Sequence, residues 1–341
     1  MTESSVPTPM PVAVIGAGSW GTALAIHAAS AGHDVALWGH DAKKVARLRE
    51  ERENAAYLAG FGFPERLRVT AIAEEALRGA QLVISAVPSG FLRDVWAELG
   101  SSVDSGSHLV SATKGIEEDS GLRMTQLLEQ VIPVSVRSLS SLSGPSFAHE
   151  LAEGQPTAIA LGCADPAAAE EIQGALSHGP LRVYRNPDLI GVEIAGALKN
   201  VIAMATGIAV GLGLGANTNA ALICRGLKEM SALALELGGR PETMMGLAGL
   251  GDLVLTCNGP LSRNRGVGVA IGRGQTLEEA TRDMTMVAEG VVTTRSVRQM
   301  ARRHGVEMPI AEQVYGALYG GKPARQAIDE LLARALVKEW E

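Results

Sequence analysis

The sequence predicts an α/β protein with a doubly wound sheet, followed by an all-α C-terminal domain. Three observations carry this reading. In the first half, short β-branched runs alternate with helical patterns, and strand–helix alternation means parallel strands joined by right-handed crossovers. The first run ends in a G-x-G-x-x-G turn that opens a helix, which makes the sheet Rossmann-type. From Asp188 onward no run reads as a strand, and Ala, Leu and Met recur at helical spacing.

In order, the expected strands are Val12–Gly16, Asp34–Trp38, Leu67–Thr70, Leu82–Val87 and His108–Thr113. Helices are expected at Trp20–Ser30, Asp41–Glu51 and Phe91–Leu99. Further strands are read at Val134–Leu139, Ala158–Leu161 and Arg182–Tyr184, with helix Pro166–Ser177 between the last two. The second domain should hold helices at Leu189–Met204, Ala220–Leu237, Thr276–Thr281, Val291–His304 and Ala311–Leu318. A Pro interrupts both patterns at Asn186–Pro187, so the expected units are 12–187 and 188–341. Residues 1–11, polar and carrying Pro7, Pro9 and Pro11, read as a loose tail without the basic and apolar regions of a signal peptide.

The chain has 341 residues, 46% of them hydrophobic and 20% charged, enough for two cored domains and unlike a disordered or coiled-coil chain. A net charge of −7 disfavours nucleic-acid or membrane-surface binding, which need a net basic face. The three cysteines, Cys163, Cys224 and Cys257, are far apart and lack metal-ligand spacing, so reduced thiols and no metal site are expected. The longest apolar stretch, Val201–Ala216, is shorter than the roughly 20 residues of a bilayer span and contains four glycines. It reads as a core helix running into a glycine-rich turn. A cytoplasmic protein without membrane insertion is the expectation, and a homodimer is the default for an apolar helical domain.

Within Val12–Gly21, Gly16 permits the tight turn, Gly18 lets backbone approach a pyrophosphate and Gly21 lets helix and strand pack closely. The helix N-terminus then faces phosphate with its N–H groups and positive dipole end. The second strand ends at Leu37-Trp-Gly-His40-Asp41, where an NAD-selective site commonly places an acidic side chain on the ribose 2′-hydroxyl. Here His40 stands near that place and Asp41 follows, which leaves NADPH use open. Lys43 and Lys44 read as solvated helix residues. Val87 and Pro88 either floor a nicotinamide ribose or simply stop a strand.

Lys114, before Gly115 at the end of the fifth strand, suits an anion or carbonyl ligand; a solvated loop lysine is the alternative. Lys199-Asn200 lies inside an apolar helix. The pair either emerges at a helix edge, as composition alone suggests for a lysine, or lines an occupied cleft, because burying both without partners is costly. Asp252, in Gly249-Leu-Gly-Asp252, could orient a lysine or bond a hydroxyl. Arg263 could take a phosphate in forked geometry, with Ser262 and Asn264 as further donors. The competing reading of 262–265 is a polar surface loop.

Taken together, these segments resemble the bacterial-type NAD(P)-dependent glycerol-3-phosphate dehydrogenase family, from about Val12 to about Arg334. The anchors are Val14-Ile-Gly-Ala-Gly-Ser-Trp-Gly-Thr22, Leu37-Trp-Gly-His40, Ala112-Thr-Lys-Gly115, Ser143-Gly-Pro-Ser-Phe-Ala148, Ala197-Leu-Lys-Asn200, Gly246-Leu-Ala-Gly-Leu-Gly-Asp252, Ser262-Arg-Asn-Arg265 and Val287-Ala-Glu-Gly290. The first is generic to dinucleotide binders and the others, in this order, are specific. The resemblance implies reversible hydride transfer between NAD(P)H and dihydroxyacetone phosphate, giving sn-glycerol 3-phosphate for phospholipid synthesis. It implies that Lys199 is the catalytic proton donor and acceptor. Lys114, Gly144, Ser146, Lys199, Asp252, Ser262, Arg263 and Asn264 match its substrate-binding positions. Ser19, Trp20, His40, Lys114, Ala148, Arg263, Val287 and Glu289 match its cofactor-binding positions. Two departures stand out: Ile194-Ala-Gly196 replaces the usual Leu-Gly-Gly, and His40 stands where some members have Arg. Rival readings are a 2-hydroxyacid or 6-phosphogluconate-type dehydrogenase, a non-catalytic nucleotide sensor, and a helical assembly module.

Overall fold

A computed structural model describes residues 8–284, 287–335 and 338. Most of the expected N-terminal tail, and the chain's last few residues save Lys338, lie outside them.

The first half runs β1 (Pro11–Ile15), α1 (Ser19–Ser30), β2 (Asp34–Trp38), α2 (Ala42–Glu51), β3 (Glu53–Asn54), β4 (Leu58–Gly62), β5 (Leu67–Thr70), α3 (Ala73–Leu77), β6 (Leu82–Ser85), α4 (Leu92–Leu99) and β7 (His108–Ser111). It continues with α5 (Met124–Val131), β8 (Ser138–Ser143), α6 (Ala148–Ala152), β9 (Thr157–Gly162), α7 (Pro166–Leu176) and β10 (Leu181–Asn186). Eight strands form one sheet in the order β10-β9-β8-β7-β6-β1-β2-β5. The six strands from β5 to β8 are parallel and have the doubly wound order whose topological switch lies between β1 and β6. Successive side chains feed opposite faces. Val12 and Val14 join a cluster with α1 and α7, while Ala13 and Ile15 join one with α3, α4 and α5.

Two expectations need correction. The sheet is mixed: β9 and β10 pair in parallel with each other, but β9 runs antiparallel to β8. Only a 13-residue connection containing the short α6 links Ser143 to Thr157, so the chain turns back beside β8. The strand read at Val134–Leu139 is Ser138–Ser143 instead. Val134 and Val136 pack from the preceding loop against the α4–α5 face, so their apolar character marks burial and not pairing. The serine-rich strand carries weak β-propensity and is held by neighbours on both sides. The β3–β4 ribbon and helices α3, α5 and α6 were not expected from the pattern.

Helices fill the rest of the described chain: α8 (Leu189–Gly211), α9 (Ala216–Glu236), α10 (Pro241–Met244), a π-helical turn at Leu247–Gly251, α11 (Asp252–Asn258), α12 (Arg263–Gly272), α13 (Leu277–Thr281), α14 (Glu289–His304), α15 (Pro309–Tyr319) and α16 (Ala324–Leu332). The expected core helix running into a glycine-rich turn is α8 followed by Leu212–Gly215. At 23 residues it is long and apolar enough to cross a membrane, but 89% of its most apolar window is buried inside the protein. Asp188 caps it, accepting from Gly191 N at 2.8 Å.

α8 and α12 meet backbone to backbone. A Cβ on Gly207 would lie 2.3 Å from Arg265 O, and one on Gly268 would lie 2.3 Å from Met204 O; Gly211 and Gly272 repeat the contact one turn on. Glycine on both helices is what lets them approach this closely. The 262–265 stretch, for which a polar surface loop was the competing reading, is therefore the cap and first turn of α12.

Candidate active site

The site forms along the carboxyl edge of the sheet, where the second half packs against it. On the nucleotide side, Gly16 has φ +117°, and a Cβ there would sit 2.7 Å from Ala86 O in the loop after β6. A Cβ on Gly21 would sit 2.0 Å from Gly16 O. Above Gly18 nothing lies within 4 Å of the added carbon, and as N-cap of α1 this residue has no side chain to satisfy the helix N–H groups. Open backbone, a helix N-terminus and close strand–helix packing are the three requirements of a pyrophosphate cradle, so the residues present fit a dinucleotide. Ser19 Oγ donates to Tyr57 O at 2.7 Å, and Asn54 donates to Ala17 O and Thr22 Oγ1. The unexpected β3–β4 ribbon thereby braces the turn. Trp20 is half-buried beside it.

At the end of β2, His40 is exposed. Asp41 caps α2, accepting from Lys43 N at 2.9 Å and Lys44 N at 3.1 Å. Those N–H bonds, above all from Lys44, hold its carboxyl below the usual range. The acidic side chain nearest the expected ribose position is thus committed to a helix end.

Where α8 and α11 meet the loop after β7, three charges converge. Lys199 Nζ donates to Asp252 Oδ1 and to Thr256 Oγ1, both at 2.7 Å. Lys114 Nζ reaches the other oxygen, Asp252 Oδ2, at 2.6 Å and Gly144 O at 3.1 Å. Lys199 is only 6% exposed and Asp252 only 1%. The edge-of-helix alternative for Lys199 is overturned, and the apolar helix keeps its amine because Asp252 and Thr256 supply partners. Burial pulls the Lys199 ammonium down to about 8; Asp252 opposes this and Lys114 adds to it. Burial would raise Asp252, but the two ammonium groups outweigh it and hold the carboxyl below its usual range.

Around this cluster, Asn264 Nδ2 donates to Asn200 Oδ1 at 2.8 Å, and Asn264 Oδ1 accepts from Gly290 N at 2.9 Å. Ser262 caps α12, accepting from Arg265 N. Ser262 and Asn264 are buried, against the surface-loop alternative, whereas Arg263 is exposed and gives one N–H to Val287 O at 2.7 Å. Glu289 accepts from Ser89 N at 3.1 Å and from Ser89 Oγ, and burial pushes its carboxyl up. Ser146 Oγ donates to Gly144 O, and Ala148 opens α6 just beyond. Val87 is buried, its carbonyl accepting from Thr113 Oγ1 at 2.6 Å.

The cluster draws together Lys114, Gly144, Lys199 and Asp252, with Ser262, Arg263, Asn264, Val287 and Glu289 forming an adjoining wall. Ser19, Trp20 and His40 stay on the nucleotide side. Sequence reading missed Thr256 and Ser89. Thr256 was legible: four residues after Asp252 it shares that helix face. Ser89 was not, because its partner is 200 residues away. A separate cavity of about 560 Å³ between α14, α15 and α16 touches none of these groups.

A glycine turn that fits a pyrophosphate, together with a buried amine pair on one carboxylate in a doubly wound sheet capped by helices, is the constitution of an NAD(P)-dependent oxidoreductase. The chain belongs to the NAD-dependent glycerol-3-phosphate dehydrogenase family: its N-terminal family model matches residues 11–169 and its C-terminal model residues 188–329. A glycerol-3-phosphate dehydrogenase [NAD(P)+] of Geobacter sulfurreducens is 50% identical over 329 residues, covering 96% of this chain and 98% of that one. The corresponding protein of Chlorobium phaeobacteroides is 46% identical over 331 residues, covering 97% and 99%. The crystal structure of glycerol-3-phosphate dehydrogenase from Coxiella burnetii superposes with a TM-score of 0.91 at 38% identity, over 96% of this chain and 99% of that one.

Proposed function

We propose that this chain catalyses the reversible NAD(P)H-dependent reduction of dihydroxyacetone phosphate to sn-glycerol 3-phosphate, with Lys199 as proton donor and acceptor. The observation that carries the reading is the meeting of Lys199 and Lys114, from two halves of the chain, on buried Asp252 beside the glycine turn. The nicotinamide supplies the hydride when bound. Reduction of a ketone leaves negative charge on its oxygen. A protonated Lys199 stabilises that charge and passes its proton to it; in the oxidising direction the neutral amine takes the hydroxyl proton. A proton affinity near 8 lets the same amine serve both directions near neutral pH.

Asp252 holds both amines in line, and Thr256 fixes the Lys199 rotamer. Lys114, with Gly144 and Ser146, would hold the substrate's hydroxyl end. Arg263 with the buried Ser262–Asn264 turn would hold its phosphate in forked geometry. This local cationic wall suits a dianionic substrate despite the net charge of −7. Gly16, Gly18, Ser19, Trp20, Gly21, His40, Ala148, Val287 and Glu289 would hold the cofactor, sharing Lys114 and Arg263 with the substrate.

The Asp41 carboxylate is engaged by the first N–H groups of α2 and His40 stands exposed at the strand end, which supports NADPH use. The protein then works in the cytoplasm, supplying sn-glycerol 3-phosphate to phospholipid synthesis, as a homodimer whose state light scattering would read. A spectrophotometric assay tests the activity: dihydroxyacetone phosphate should drive oxidation of NADPH and, less efficiently, NADH, whereas neither 2-oxoacids with NADPH nor 6-phosphogluconate with NADP+ should support turnover. Tight cofactor binding with no ketone-dependent oxidation contradicts the proposal.

A further inference from the structure

Lys114 and Lys199 come from different halves of the chain, so their meeting on Asp252 depends on how α8 sits against the nucleotide half. Glu193, six residues before Lys199 on α8, has a side chain only 2% exposed and points away from the cluster into that half. Its carboxylate accepts from Thr125 N at 2.8 Å, from Thr125 Oγ1 at 2.7 Å and from Arg123 Nη1. The Thr125 N–H belongs to the first turn of α5, so a carboxyl of α8 caps a helix of the other half; burial pushes that carboxyl up, and Arg123 and the Thr125 bonds oppose the shift. Arg123 in turn bridges Ile116, two residues beyond Lys114, closing the loop that follows β7. One carboxylate therefore ties α8 to the base of the loop that carries Lys114.

We propose that Glu193 is a positioning residue for the reaction: its buried strut to Arg123 and Thr125 sets the register of α8 against the Lys114 loop, so that both amines reach Asp252. The inference rests on the proton-transfer role given to Lys199 above. Both Glu193 carboxylate oxygens are taken by Thr125 and Arg123, and none of these three is among the residues assigned above to substrate or cofactor. A misplacement of about 1 Å is enough to cost on the order of 100-fold in rate, even from a distant change.

The test compares Glu193→Gln, Glu193→Ala and Thr125→Val with the wild type by steady-state kinetics, cofactor binding, thermal unfolding and amide hydrogen exchange. Thr125→Val removes one hydroxyl donor and keeps the ion pair, so it remains measurable if the Glu193 variants fail to fold. The strut account expects kcat to fall roughly 10- to 100-fold in Glu193→Ala and several-fold in Thr125→Val, with NADPH affinity falling far less than kcat because the glycine turn is untouched. It expects the alkaline limb of the reduction rate to move to lower pH, since a lengthened Lys199–Asp252 contact withdraws the support that keeps the amine protonated. Exchange should quicken over residues 114–125. A lowered melting temperature with kcat, KM and the alkaline limb at wild-type values overturns the proposal. If the wild type lacks ketone-dependent NADPH oxidation, the proton-transfer reading fails by itself; unchanged exchange over 114–125 in Glu193→Ala still rejects the strut.

Discussion

The two walls of the cleft are built from different materials. The nucleotide wall is backbone: three glycines, a bare helix end and a ribbon that braces them. The opposite wall is side chain: two amines on one buried carboxylate, an amide pair, and a glutamate held by Ser89. A backbone site binds whatever presents phosphate to it, and its specification is local in sequence. A charged site does chemistry only when distant segments pack to within hydrogen-bond distance, so its function belongs to the fold.

The difference makes substitutions on the two walls separable. The largest effect is expected for Lys199→Ala: kcat should fall about 10²–10⁴-fold while NADPH affinity, measured by fluorescence titration, stays nearly intact. Wild-type turnover in that variant would remove the chemistry from this wall. Arg263→Ala should raise KM for dihydroxyacetone phosphate by roughly 10- to 100-fold, the worth of about 1.5–3 kcal/mol for a hydrogen bond to a charged group. An unchanged KM in initial-rate assays places the phosphate elsewhere.

The reverse pattern should follow on the nucleotide wall. In Gly21→Ala the new methyl meets Gly16 O at 2.0 Å, so turn and helix must part. Overpacking of this kind costs about 1–3 kcal/mol; melting temperature and NADPH affinity should drop together, with the amine cluster undisturbed. Intact cofactor binding in a folded Gly21→Ala protein would mean that the close approach is dispensable.

The smallest effect lies behind the nucleotide wall. His27, on α1, bonds Leu176 O through Nε2 at 2.8 Å, and burial lowers its proton affinity below 6.5. The unfolded chain then binds more protons in acid, so stability is complete above about pH 6.5 and declines as pH falls below it. Melting temperature followed from pH 7.5 to 5.5 should show this slope, and His27→Gln, which keeps a donor but does not titrate, should flatten it.

What could be read from the sequence divides along the same line. The glycine turn, β2 and β5 were legible because strand alternation and a turn motif are short-range signals. The reversal at β9 was not, since strand direction leaves no mark in composition. β8 hid among serines, and α12 hid because the glycines that argue against a helix are the ones that let it touch α8. Of the charged wall, the residue types were legible through Lys114, Lys199, Asp252 and Arg263, and their convergence was implied by the family resemblance but by nothing in their spacing. An amine in an apolar helix reads as an exposed lysine until Asp252, 53 residues on, is seen to hold it.

The central claim is that this buried amine is the acid in one direction and the base in the other. The pH dependence of kcat, measured in both directions under cofactor saturation, tests it most directly. With Lys199 pulled down to about 8, ketone reduction should fall as pH rises through about 8 while alcohol oxidation rises over the same interval. A reduction rate that stays level from pH 7 to pH 9.5 would contradict the account.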